Sequence, residues 1–170
     1  YPSMTIEQAR TLARTTLNVI SEGINPNKLK SGSLVKHDIT LQKVFDDYSK
    51  SKHNIKSSTM NNYNSLMDNY LNDWKKKPLS EITRDMVEQK HRNIGYGIGK
   101  FKESPTRANT TMRLVRALFN YAIGQYEDSQ GEPLFIHNPV VRITSQKLWF
   151  KEKIRQGVVM KYDLKKWYEG

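Results

Sequence analysis

The sequence predicts an all-α protein, and two observations carry that prediction. Apolar residues recur at the 3.6-residue helical period in successive stretches from Ile6 to Ile123. Each stretch is also bounded by the residues that start and stop helices: Thr5, Thr40, Ser57 and Ser104 at the beginnings, Gly23 and Pro78 just past the ends.

The elements follow in order. Thr5 stands before Ile6 with Gln8 three residues on, the spacing of a capping box that satisfies two free N–H groups. Ile6, Ala9, Leu12, Ala13, Leu17 and Ile20 share one face, which predicts a helix over 5–22. Residues 25–39 are polar, contain Pro26 and a Ser-Gly-Ser step, and read as a linker. A second helix starts after Thr40, with Leu41, Val44, Phe45 and Tyr48 on one face, and stops near Lys52. A third is capped by the Ser57-Ser58-Thr59 cluster and runs to Trp74, with a stripe of Met60, Tyr63, Leu66, Met67, Tyr70, Leu71 and Trp74. Its opposite face carries amides and hydroxyls in place of the Glu/Lys pairs of an ordinary solvated face. Pro78 ends that segment, and Thr83 caps a short helix to about Asn93, with Asp85 in its first turn and Met86 and Val87 inward. Residues 95–100 alternate glycine with other residues and are expected to form a flexible loop. No strand precedes them and no Gly-Lys-Ser/Thr follows, so a nucleotide cradle is not indicated. The longest helix begins at Ser104-Pro105 and continues to about Tyr126, with Ala108, Thr111, Met112, Val115, Leu118, Phe119, Ala122 and Ile123 as its apolar stripe. After the turn Asp128–Gly131, residues 140–161 are expected to be extended and basic, and another helix begins at Tyr162-Asp163.

Composition narrows the function. The 170 residues hold 28 Lys+Arg against 17 Asp+Glu, a net charge of +11, and no cysteine. The absence of cysteine excludes disulfide scaffolds, thiol nucleophiles and Cys-ligated metal sites. No run of about 18 apolar residues is present and Tyr1–Met4 do not open a signal peptide, so a cytosolic protein with no membrane partner is expected. The positive charge is concentrated. Residues 84–126 carry eight basic and three acidic groups, residues 137–170 the same numbers, and residues 127–136 three acidic groups alone. Such a distribution suits a polyanionic partner, nucleic acid first. His37, His53, His91 and His137 lie apart, at surface or capping positions without metal-ligand spacing. No nucleophile elbow or spaced carboxylate pair is present, and no cofactor is expected.

Two helices present groups that read or neutralise DNA. The first offers Ser57, Ser58, Asn61, Asn62 and Ser65; the second offers Thr106, Arg107, Asn109, Thr110, Arg113, Arg116 and Asn120, with Lys100 and Lys102 ahead of its N-terminus. Amides match adenine edges, and arginine matches guanine or neutralises phosphate. The same residues could also simply solvate a four-helix bundle.

Specific residues then resemble a known family. Thr40-Leu41 through Tyr48, Lys56-Ser57-Ser58-Thr59 followed by Tyr63, and Trp74 with Pro78-Leu79-Ser80-Glu81-Ile82-Thr83 resemble the core-binding domain of phage-type tyrosine recombinases, the prophage integrases. Ala108-Asn109, the run Leu114–Ala122 and Asn138-Pro139 continue the resemblance, and Met4–Pro26 resembles the last helix of the arm-type DNA-binding domain. The resemblance implies a four-helix SAM-like domain with an extra N-terminal helix and a mostly extended C-terminal linker. It divides the chain into an arm-domain end (1–24), a linker (25–39), a core-binding domain (40–139), an interdomain linker (140–161) and the start of a catalytic domain (162–170). It implies sequence-specific binding of double-stranded DNA at a core attachment site, by helices 58–74 and 105–126 lining the major groove. Other integrase protomers would be partners on DNA, with a monomer expected without it. The family's catalytic arginines, lysine and nucleophilic tyrosine would fall downstream; Tyr162 and Tyr168 are not at the nucleophile's place, so this chain is expected to bind without cleaving. The acidic stretch 127–136 lengthens the turn that the family places before Asn-Pro. A non-enzymatic helical transcription regulator is the alternative, although residues 94–104 exceed the roughly four-residue turn of a helix-turn-helix. A bundle that serves only protein interaction is a third reading.

Overall fold

The computed structural model describes residues 5–21, 38–52, 54–128 and 130–152, together with isolated positions 161, 162, 164 and 168. The described residues are helical with no strand. They form α1 (Ile6–Ser21), α2 (Leu41–Ser51), α3 (Ser57–Asn69), α4 (Arg84–Tyr96), α5 (Pro105–Gln125) and the short α6 (Val141–Ser145), with 3-10 turns at Asn72–Trp74 and Leu79–Glu81.

Local chemistry sets the helix starts. At α1 the Thr5 N–H donates to Gln8 Oε1 at 2.9 Å and the Gln8 N–H to Thr5 Oγ1 at 3.3 Å, the reciprocal capping box. Thr40 and Thr83 are extended N-caps whose hydroxyls accept from Lys43 N and Met86 N. Two expected caps differ. Lys56, not the serine cluster, is the N-cap of α3, with no side-chain hydrogen bond, and Ser57 is already helical. Ser104 stands before Pro105 but its side chain caps nothing.

One core unites α2 to α6. α5 lies at its centre, packed most extensively on α4 and also on α2. Met112, Val115 and Leu118 from α5 are fully buried with Leu41 and Val44 from α2, Leu66 from α3 and Ile94 from α4. Burial of each such side chain contributes about 1.5–3 kcal/mol. Among the described side chains α1 contributes no buried residue: Ile6, Leu12, Leu17 and Ile20 are all at least half exposed.

Several boundaries differ from the sequence expectation. α3 ends at Asn69 rather than Trp74, because the chain tightens into the 3-10 turn that buries Trp74. There the Lys90 ammonium lies 5.0 Å from the Trp74 ring and pairs with Asp73 at 2.7 Å. α4 continues past Asn93 to Tyr96 and stops at Gly97, whose φ of 71° is left-handed and where a Cβ would press on the Glu103 backbone. Ile39, assigned to the linker 25–39, is buried, and its carbonyl accepts from Leu79 N; residues 25–37 lie outside the described residues. Residues 140–152 are not an extended linker. Val140 and Ile143 are fully buried, α6 occupies Val141–Ser145, and Leu148, Trp149 and Phe150 pack against the core. The helix expected from Tyr162 falls largely outside the described residues.

The described residues of the acidic stretch fold back on themselves. Asp128 Oδ1 accepts from the backbone N–H groups of Gln130 and Glu132, and Leu134 and Phe135 return to the core. The Tyr126 hydroxyl donates to Asp47 at 2.6 Å and ties that end of α5 to α2. Burial, with the Asp47 carboxylate beside it, raises the Tyr126 pKa far above the ordinary phenol value.

Candidate nucleic-acid interface

The polar faces of α3 and α5 come together. Arg107 of α5 donates to Asn62 Oδ1 of α3 at 2.8 Å, across 45 positions of sequence. Ser57, Ser58, Asn61 and Ser65 are exposed on α3, and Thr106, Arg107 and Arg113 on α5, with Arg116 half-buried beside them. The α5 sequence holds three arginines and no carboxylate. Lys100 and Lys102 are exposed on the loop that leads into α5. The candidate face is therefore cationic and amide-rich, carried by two helices joined by the Arg107–Asn62 hydrogen bond and by the loop that leads into α5.

Some predicted residues are already committed elsewhere. Ser65 Oγ accepts from the Asn69 amide, and the Thr110 hydroxyl donates to the Thr106 carbonyl one turn back. Asn120 is exposed, but its carbonyl accepts from Asn138 Nδ2 at 2.7 Å. The clear correction is Asn109, which is 1 % exposed. Its Oδ1 accepts from His91 Nε2 at 3.0 Å and from Phe150 N at 3.2 Å, while its Nδ2 donates to Phe150 O and Glu152 Oε1 at 2.9 Å. A buried amide with every group paired serves the fold and offers no open edge to a base; its one partner that leads to the surface is the Glu152 carboxylate.

His91 is corrected with it, being buried at 3 % exposure rather than on the surface. Because Asn109 Oδ1 can only accept, His91 Nε2 carries the proton. Burial, the larger cause, lowers the His91 pKa against the opposing hydrogen bond to Asn109. The imidazole packs 4.7 Å from the Phe150 ring and 5.7 Å from Trp149. Gly95 completes this socket: a Cβ there would clash with the Phe150 ring carbons Cε2 and Cζ, so glycine lets the ring rest on the α4 backbone.

Trp149 and Glu152, which the sequence reading did not single out, lie against the predicted face. The Arg113 and Arg116 guanidinium carbons are 5.9 and 5.7 Å from the Trp149 ring centroid. Glu152 pairs with Arg113 at 2.9 Å. The hydrogen bond from Asn109 is the largest cause that holds the Glu152 carboxyl below its ordinary pKa; desolvation opposes it, and the charge and hydrogen bond of Arg113 add smaller lowering effects. The signal for this docking was the Trp-Phe pair at 149–150, whose two aromatic side chains in an otherwise basic stretch call for cover.

No three-ligand metal cluster occurs among the described residues, and no described helix is long and apolar enough to cross a membrane. No protein-family model, curated protein or solved structure matches the chain.

Proposed function

We propose that this chain binds double-stranded DNA through the α3–α5 face, as the core-site-binding part of a site-specific tyrosine recombinase of the prophage-integrase type. The observation that carries the reading is the composition of that face. A 21-residue helix with three arginines and no carboxylate is bridged by Arg107 to a neighbouring helix rich in amides and hydroxyls. Arginines and lysines there would neutralise phosphates, and Asn61 and Asn62 would meet base edges. The specific four-helix SAM-like assignment and the recombinase family rest on the residues of the resemblance, in a fold that is all-helical at the coarser level. Strand cleavage is assigned to the catalytic segment that the family carries downstream, and further protomers to the assembly on DNA.

The test is a gel-shift titration on a randomised duplex pool with selection of the bound fraction. Binding should weaken steeply from 50 to 200 mM salt, through counterion release on the order of one ion per phosphate contact. Replacing Arg113 and Arg116 with alanine should lower affinity across all sequences and flatten the salt slope by about 1 in total. Absence of binding at low salt would remove the reading, and unchanged affinity in the double variant would place the interface on another face.

A further inference from the structure

We propose that Arg113 and Asn109 form a phosphate site on this face, and that the chain's own Glu152 carboxylate occupies it until nucleic acid displaces it. The inference deepens the DNA-binding reading and rests on it. A carboxylate and a phosphate present the same thing to a guanidinium, a pair of anionic acceptor oxygens. Glu152 Oε1 sits 2.9 Å from both Asn109 Nδ2 and an Arg113 terminal nitrogen, so one oxygen accepts from both donors. The donors are positioned independently of Glu152. Asn109 is fixed by His91 and by the Phe150 backbone, and Arg113 stacks on Trp149. The pair is open to solvent, with the Arg113 and Glu152 side chains 52 % and 37 % exposed. The internal ion pair is therefore of the exposed kind, weak enough for a polyanion to replace. Arg116, 5.7 Å from the centroid of the same indole, places a second guanidinium near the site.

The arrangement has a distinctive electrostatic signature. In the free protein Arg113 is already neutralised by Glu152, so duplex binding must break that pair, and the released carboxylate recruits a cation as the phosphate loses one. The Glu152→Gln variant keeps an acceptor for Asn109 but removes the competing charge. It should bind a random duplex about two- to fivefold tighter at 50 mM salt, the scale of an exposed ion pair. Its salt slope should steepen by up to about 1. In an Arg113→Ala background the same substitution should change neither quantity. Thermal melts of each variant show that the fold is retained, and Glu152→Ala, which removes the carboxylate by truncation, should tighten binding in the same direction. If the wild type binds duplex while Glu152→Gln binds equally or more weakly, Glu152 is no stand-in for phosphate and the proposal falls alone. If neither protein binds at 50 mM salt, the DNA-binding reading falls and this proposal with it.

Discussion

Asn109 sits in the middle of α5 with its amide shared among His91, the Phe150 backbone and Glu152. Asn109→Ala strands the Phe150 N–H and His91 Nε2 without their partner and should cost about 2–3 kcal/mol, read from urea midpoints. Thr111 presents the opposite case, a fully buried hydroxyl with no hydrogen-bond partner. Thr111→Val keeps the shape and removes the unpaired oxygen, so it should stabilise the protein by about 1 kcal/mol. His91 gives the fold a pH dependence. Its native pKa lies below the unfolded value of about 6.5, so below that pH the unfolded chain binds a proton that the native state resists. Stability contributed by the neutral ring is therefore present above pH ~6.5 and is lost as pH falls toward the depressed native value. His91→Gln, which keeps an N–H donor, should lose less stability than wild type between pH 7.5 and 5.5 in matched urea titrations. Sequence reading placed Asn109 and His91 by residue type, as a DNA contact and a surface histidine. Both are instead inside, because they pack against a segment 41 residues beyond Asn109, and further still from His91, that no local pattern connects to them.

At the scale of elements, the helices were readable wherever an apolar stripe ran for two turns or more between caps. α2 and α5 start where the sequence placed them. α3 was overrun because Tyr70, Leu71 and Trp74 keep the helical spacing while the chain itself tightens through a C-cap and a 3-10 turn. α6 lies in a stretch that reads as extended beyond a single turn capped by Asn138-Pro139, because its 5 residues are too few to show a period and its inward residue, Ile143, stands between polar neighbours. The caps carry an ordered prediction. Thr40→Ala and Thr83→Ala each remove an observed side-chain cap and should cost about 1 kcal/mol. Ser104→Ala removes none and should fall within about 0.5 kcal/mol of wild type in the same thermal melts.

Across the whole molecule, α2 to α6 and the strip that follows share one hydrophobic core, while the described side chains of α1 add no buried residue to it. Ile6→Glu and Leu17→Glu, at positions 74 % and 63 % exposed, should leave the unfolding midpoint within about 0.5 kcal/mol of wild type. Leu118→Ala, in the centre, should cost about 2–5 kcal/mol in the same titration. The cationic face could be assembled from sequence because helix period places its residues, whereas the carboxylate that answers Arg113 could not, since it arrives from outside both helices. The seating of Phe150 on Gly95 bears on how the protein can be dissected. A polypeptide cut at residue 139, where the family resemblance ends its domain, would lose Val140, Ile143 and the aromatic cover over His91, and should be recovered as an insoluble or aggregating product. One cut after Glu152 retains every one of those groups and should be the shortest C-terminal end that expresses as a cooperative, soluble unit.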